Sequence, residues 1–222
     1  MGSQADSLIE LIDRLGFSLW GGADISGLHA LANTYPRAIS LALAYKPDFD
    51  PYNEQRYHDL LHQVGNRFTS MIGQVLGFLK DENIPHKWVP HGGQNPDTLL
   101  ATFPHKLAAT RAGLGWIGKQ SVLITPQYGP RMHLSTILLD LDIPVGEPIS
   151  ESRCGDCCLC VEACPYGYVN GATWYPGIDR AELFDAFSCS HTRASFIPDI
   201  GHKHECGLCL LTCPIGTKRM EE

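Results

Sequence analysis

All nine cysteines of this 222-residue chain lie between residues 154 and 213, and none precedes them. No other feature constrains the fold as strongly. A chain that confines its thiols to one end sets that end apart, and IPVGEPIS (143–150) supplies a Pro/Gly-bearing boundary in front of it. Two domains are expected, 1–148 and 149–222. No stretch approaches the roughly 20 apolar residues of a membrane span. The N-terminal MGSQADSLIELIDRLGF has neither a basic leader nor a cleavable apolar core. No membrane association is expected, and the expected location is the cytoplasm. Thiols stay reduced there, so nine of them point to metal ligation rather than disulfides.

The spacing says which metal chemistry. CGDCCLCVEACP places Cys154, Cys157, Cys160 and Cys164 as C-x2-C-x2-C-x3-C before Pro165. This is the bacterial ferredoxin run for a four-iron four-sulfur (4Fe-4S) cube, whose fourth cysteine ligates the other cube in two-cluster proteins. HECGLCLLTCP supplies Cys206, Cys209 and Cys213 before Pro214, one cysteine short at its front, and Cys189 upstream can fill that place. The expected sets are Cys154, Cys157, Cys160 and Cys213 for one cluster, and Cys164, Cys189, Cys206 and Cys209 for the other. Cys158 is left over as a non-ligand. Two four-cysteine zinc sites are the competing reading, although zinc sites usually pair one C-x2-C with another. His202 and His204 flank the second motif and are expected at the surface.

The part without cysteine mixes α and β patterns. Leu8, Leu11, Ile12 and Leu15 form one face of a short amphipathic helix. RAISLALAY (37–45) reads as a buried strand. Residues 55–83 read as a long amphipathic helix, with Tyr57, Leu60, Leu61, Val64, Phe68, Met71, Ile72, Val75, Leu76 and Leu79 at spacings of three and four. HKWVP (86–90) is a further strand. DTLLATFPHKLAATRA (97–112) has helical spacing, kinked or restarted at Pro104. SVLITP (121–126) and MHLSTILLDL (132–141) read as strands joined by a QYGPR turn.

Between them, AGLGWIGKQSVLIT (112–125) imitates two nucleotide motifs. Gly113, Gly115 and Gly118 give G-x-G-x-x-G, and Gly113 to Lys119 gives G-x-x-x-x-G-K. Both motifs must leave a strand and open a helix. Here a helical segment precedes and a strand follows, and Gln120 stands where a P-loop needs Ser or Thr. A nucleotide is not expected. The plain alternative is a helix-to-strand turn close-packed at Gly115. The formal charge of −7 also speaks against a general nucleic-acid binder, though not against a local basic patch.

HKLAATRAGLGWIGKQSVLITPQYGP, followed by ILLD and CGDCCLCVEACP, resembles the epoxyqueuosine reductases and, more distantly, the cobalamin-dependent reductive dehalogenases. RYHDLL (56–61) matches a tyrosine–histidine motif of that family, and the isolated Cys189 fits its layout. The resemblance implies an α+β protein: a nitroreductase-like α/β sandwich holding cobalamin, then a ferredoxin-like domain with two 4Fe-4S clusters. It implies an oxidoreductase in which electrons from a ferredoxin or flavodoxin pass through the clusters to cobalt and reduce a small or nucleoside-type substrate. Gly113, Gly115, Trp116, Ile117, Gly118 and Lys119 would then lie against the corrin. The candidate proton donors are Tyr57, His58, Asp97 and His105. The family's acidic donor would fall at Leu99, fourteen positions before Gly113, and Asp97 takes its place if two residues are inserted after it. Epoxyqueuosine reductases continue into a helical-repeat tail that helps hold transfer RNA. This chain stops at Glu222, so the expectation of transfer-RNA binding weakens. The dehalogenases carry an export signal, which this sequence lacks. The alternative function is a low-potential electron carrier without corrinoid.

Overall fold

The computed structural model describes residues 3–47, 53–90, 95–196 and 206–217. His202 and His204 lie outside the described residues. The chain divides into two compact units: Met1–Ala44, Gln63–Leu114 and Met132–Ile149 form the first, and Tyr45–His62, Gly115–Arg131 and Ser150–Glu222 the second.

The first unit contains α1 (Ser3–Leu15), β1 (Leu19–Asp24), β2 (Arg37–Ala44), the larger part of α2 (Glu54–Asp81), β3 (His86–Val89) and α3 (His105–Arg111). In the second unit follow β4 (Trp116–Ile117) and β5 (Leu123–Ile124), and β6 (Met132–Leu139) returns to the first. The four long strands form one antiparallel sheet in the order β1-β2-β6-β3, with Leu41 opposite Ser135 and Ile39 opposite Ile137.

Strand β2 explains the unbroken apolar run RAISLALA. Its odd residues Ile39, Leu41 and Leu43 pack with Leu8 and Ile12 of α1 and with Phe68, Ile72, Val75 and Leu79 of α2. Ala38, on the other face, packs with Leu138, Phe103, Ala108 and Ala112. A strand covered on both faces has no reason to alternate. Ser135 is paired within the sheet, accepting from Trp88 Nε1 at 3.0 Å and donating to the Val89 carbonyl at 3.0 Å, whereas the buried Ser40 Oγ of β2 has no hydrogen-bond partner among the described residues.

The fold adds detail at three places. First, residues 97–103 are not helical. The helix begins at His105 behind Pro104, whose ψ of 104° is extended. Proline lacks the amide hydrogen that a helix start leaves unused, so Pro104 restarts a helix here rather than kinking one. Second, QYGPR joins strands β5 and β6 as expected, but the two lie in different sheets. Strand β5 pairs with β4, through Trp116–Ile124 and Ile117–Leu123, while β6 pairs with β2 and β3. Third, Tyr45–His62 and Gly115–Arg131 group with the cysteine-bearing segment in the second compact unit.

Strand β1 carries no alternating signal because LWGGAD contains two glycines. A Cβ on Gly22 would collide with the Pro144 carbonyl oxygen, so the 143–146 segment approaches only where a side chain is missing. Truncating a side chain in the two-sided core should be expensive. Ile137→Ala is expected to lose about 2–5 kcal/mol in urea unfolding, whereas Leu100→Ala, at an exposed position, should change stability by less than about 0.5 kcal/mol.

Candidate cysteine-lined metal centre

The two cysteine motifs fold alike. CLCVEACP (158–165) and GLCLLTCP (207–214) each contain a four-residue helix, α4 (Leu159–Glu162) and α7 (Leu208–Leu211). Two further helices, α5 (Arg180–Leu183) and α6 (Ala186–Phe196), lie between them in sequence. A cysteine sits inside each motif helix, Cys160 and Cys209. A second follows its C-cap, Cys164 and Cys213, directly before a proline that cannot continue the helix. Gly207 caps α7 at φ 63°, and Cys158 is the residue in the matching place on α4.

The thiols influence one another across the two motifs. Burial and then Cys154, Cys157 and Cys213 push the Cys160 thiol up to about 11. Burial and then Cys206, Cys189, Cys160 and Cys164 push Cys209 up to about 12. Burial also raises Cys213, which feels Cys154 and Cys157, and raises Cys189, which feels Cys206 and Cys164. Each motif's last cysteine therefore belongs electrostatically to the other motif's group. Among the described residues, no group of three or more His, Cys, Asp or Glu is disposed to hold a single metal ion.

Hydrogen-bond donors reach several sulfurs. The Tyr168 amide donates to Cys164 Sγ at 3.3 Å. The Arg193 side chain, one helical turn along α6, bonds Cys189 and counters the rise of its pKa. The buried Lys119 directs Nζ to Cys158 Sγ at 3.8 Å. Sequence reasoning missed Tyr168 and Arg193. A backbone donor has no residue signature, and Arg193 shows itself only through its spacing of four from Cys189.

The glycine loop has its own structural causes. Ala112 caps α3 and Gly113 follows at φ 73°. The Leu114 amide donates to the Ala109 carbonyl and the Gly113 amide to that of Thr110, a Schellman stop. In the second unit, a Cβ on Gly115 would collide with the Ile124 carbonyl oxygen, and one on Gly118 with the Ile124 and Gln120 side chains. Trp116 and Ile117 are buried as β4, and the Arg153 guanidinium lies 5.6 Å from the Trp116 ring centroid. Trp116 Nε1 and both amide atoms of Gln120 are buried without a hydrogen-bond partner among the described residues. Buried groups of that kind cost roughly 1–3 kcal/mol each when left unsatisfied. They suit a large polar ligand that brings its own donors and acceptors.

The candidate proton donors fall two to each unit. Tyr57 is 1% exposed, its hydroxyl is 3.0 Å from that of Tyr45, and its ring occupies the space a Gly207 side chain would need. His58 is half-buried, with its ring 4.1 Å from that of His62. In the first unit, half-buried His105 has Nδ1 3.0 Å from Thr136 Oγ1. Asp97 is exposed in a turn held by Asn95 Oδ1, which accepts from the Asp97 and Thr98 amides. Leu99, in the same turn, has a φ of 53°.

Burial gives the metal-free thiols unequal reactivity. At pH 8 a thiol with a pKa of about 11 or 12 is ionised to roughly one part in a thousand or less, and the thiolate is the nucleophile. Iodoacetamide is expected to modify the exposed Cys157 and Cys158 at least about ten times faster than Cys160 and Cys209, as read by peptide mass spectrometry. Equal rates at all four would contradict the burial described.

No family model matches the chain. The epoxyqueuosine reductase of Gloeobacter violaceus is 34% identical over 167 residues, covering 71% of this chain and 49% of that protein. That of Salmonella typhimurium is 34% identical over 163 residues, covering 71% of this chain and 38% of that protein. The chain thus spans about half or less of the length of these relatives. A crystal structure of epoxyqueuosine reductase with an epoxyqueuosine-modified tRNA-Tyr stem loop matches with a TM-score of 0.63 at 21% identity, over 96% of this chain and 65% of that one. A catabolic reductive dehalogenase in complex with 3-bromo-4-hydroxybenzoic acid matches at 0.67 and 17% identity, over 97% of this chain and 32% of that one. These structural likenesses are likenesses of fold.

Proposed function

From the premise that this chain is an epoxyqueuosine reductase-like protein, related to those enzymes in sequence and fold, we propose that it is an iron–sulfur, corrinoid-dependent reductase of a nucleoside-type or other small substrate. The reading includes a nitroreductase-like α/β part and a ferredoxin-like part with two 4Fe-4S clusters, fed by a ferredoxin or flavodoxin. What supports it is the packing of helices α4 and α7 on each other, with Cys213 near enough to Cys160 to raise its thiol and Cys164 near enough to Cys189 and Cys209 to raise theirs. Exchange of the fourth cysteine is the habit of two-cluster ferredoxins. Cys158 stays outside both sets, held by Lys119 and directed at the Asp156 carbonyl.

Bound clusters supply one-electron transfer, and a bound corrinoid supplies the strongly reducing metal. The chain's own residues do the rest. Tyr168, Arg193 and the backbone of each motif position and polarise the thiolates. Gly113, Gly115, Trp116, Ile117, Gly118, Lys119 and the unsatisfied Gln120 amide are the proposed contacts for the corrinoid. Proton supply is assigned to Asp97, with His58, His105 and Tyr57 as the other candidates. Asp97 is the one candidate carboxyl and it is open to solvent.

The test is anaerobic purification with iron and sulfide analysis, then titration with cobalamin followed by corrin absorbance. About eight irons per chain and a corrin spectral change are expected, two cubes of four. Full iron without a corrin response leaves an electron carrier, and zinc with little iron sinks both readings. Cys189→Ala should lose about half the iron while Cys158→Ala keeps it all. Asp97→Asn should retain iron and corrin binding and lose about 10²–10⁴-fold in turnover, the usual contribution of a general acid. Normal turnover in Asp97→Asn would remove Asp97 from the role.

A further inference from the structure

The QYGPR stretch, legible in the sequence only as a turn, is built into the second cysteine motif. Gly129 has a φ of 58°, and a Cβ on it would collide with the Ile215 carbonyl oxygen. Gly216 has a φ of 77°, and a Cβ there would collide with the Gly129 nitrogen and the Tyr128 backbone. The two loops therefore nest backbone on backbone. At the end of the turn stands Arg131, only 2% exposed. Its guanidinium donates to the carbonyls of Cys213 at 2.8 Å and Leu210 at 3.4 Å, and to that of Ile215. Its own carbonyl accepts from the Tyr45 amide at 3.1 Å, and the Tyr45 hydroxyl is 3.0 Å from that of Tyr57, whose ring packs on Gly207. Residues 207–216 are thus gripped at both ends, at Gly207 by Tyr57 and at Cys213 to Gly216 by Arg131 and its turn.

An arginine fork can satisfy several carbonyls at once from a fixed plane, and it keeps its charge when buried. A buried cation beside a thiolate-ligated group favours whichever oxidation state carries more negative charge. We propose that Arg131 is a positioning residue of the metal centre: it holds Cys213 in ligating place and raises the reduction potential of the cluster that Cys213 ligates. The inference rests on the two-cluster reading above. The redox step concerned is the addition of one electron to that cluster, with no bond made or broken.

The experiment uses the full chain reconstituted anaerobically, as the unsubstituted protein, Arg131→Met and Arg131→Lys. Iron per chain, iron loss to a chelator, and midpoints from a dithionite titration followed by electron paramagnetic resonance are read. Arg131→Met is expected to move one midpoint to more negative potential by at least a tenfold change in the reduction equilibrium, about 59 mV for one electron, and to leave the other in place. Loss of one cluster from Arg131→Met supports the clamp equally. Should Arg131→Met lose both clusters and its far-UV dichroism, Arg131→Lys decides. With charge kept and the fork lost, it should hold its midpoints near the unsubstituted values and lose iron faster to the chelator. Midpoints and chelation rates matching the unsubstituted protein, in whichever variants fold, overturn the role of Arg131 alone. An unsubstituted chain that takes up no iron overturns the cluster reading and this inference with it.

Discussion

Helices α4 and α7 are four residues each, too short to be stable alone, and past the C-cap of each stands a cysteine directly before a proline. What holds them is each other and the segments wrapped around them, and their last cysteines, Cys164 and Cys213, each join the other helix's thiols. The nested glycines at 129 and 216, the Tyr57 ring on Gly207 and the Arg131 fork all bear on residues 207–216. Without bound metal, four of these thiols are pushed away from ionisation by burial and by their neighbours. Metal ligation reverses that penalty, because a coordinated thiol gives up its proton outright. An arrangement unfavourable as free thiols is favourable as ligands.

The first unit solves a more ordinary problem. Its four-stranded antiparallel sheet is covered by α1 and α2 on one face and by α3 and Phe103 on the other. The loop that follows α3 obeys helix-stop chemistry at Gly113 and hairpin packing at Gly115 and Gly118. Its likeness to nucleotide motifs comes from glycine serving three separate close approaches at a familiar spacing.

Much of this was legible in the sequence. The long helix reads from its three-and-four spacing, and β2 from an apolar run with no alternation. The cysteine sets are read from C-x2-C-x2-C-x3-C-P and its shortened partner; in the fold Cys213 acts on Cys160, while Cys209 feels Cys160 as well as Cys164, Cys189 and Cys206. The losses have physical reasons. Strand β1 hides behind Gly21 and Gly22, whose missing side chains are demanded by close neighbours elsewhere in the chain. Residues 97–103 share helical spacing with α3, but Leu99 at φ 53° and Pro104 break the backbone that the spacing suggests. Arg131 looked like the end of a turn because its partners are backbone carbonyls some 80 residues away, and carbonyls leave no mark on a sequence.

Eight cysteines in two exchanged sets are proposed to hold two four-iron cubes. Native mass spectrometry of the anaerobically purified chain tests this most directly. The expected principal species has the mass of the chain plus two four-iron, four-sulfide cubes. A principal species carrying two zinc ions, or one cube only, would contradict it.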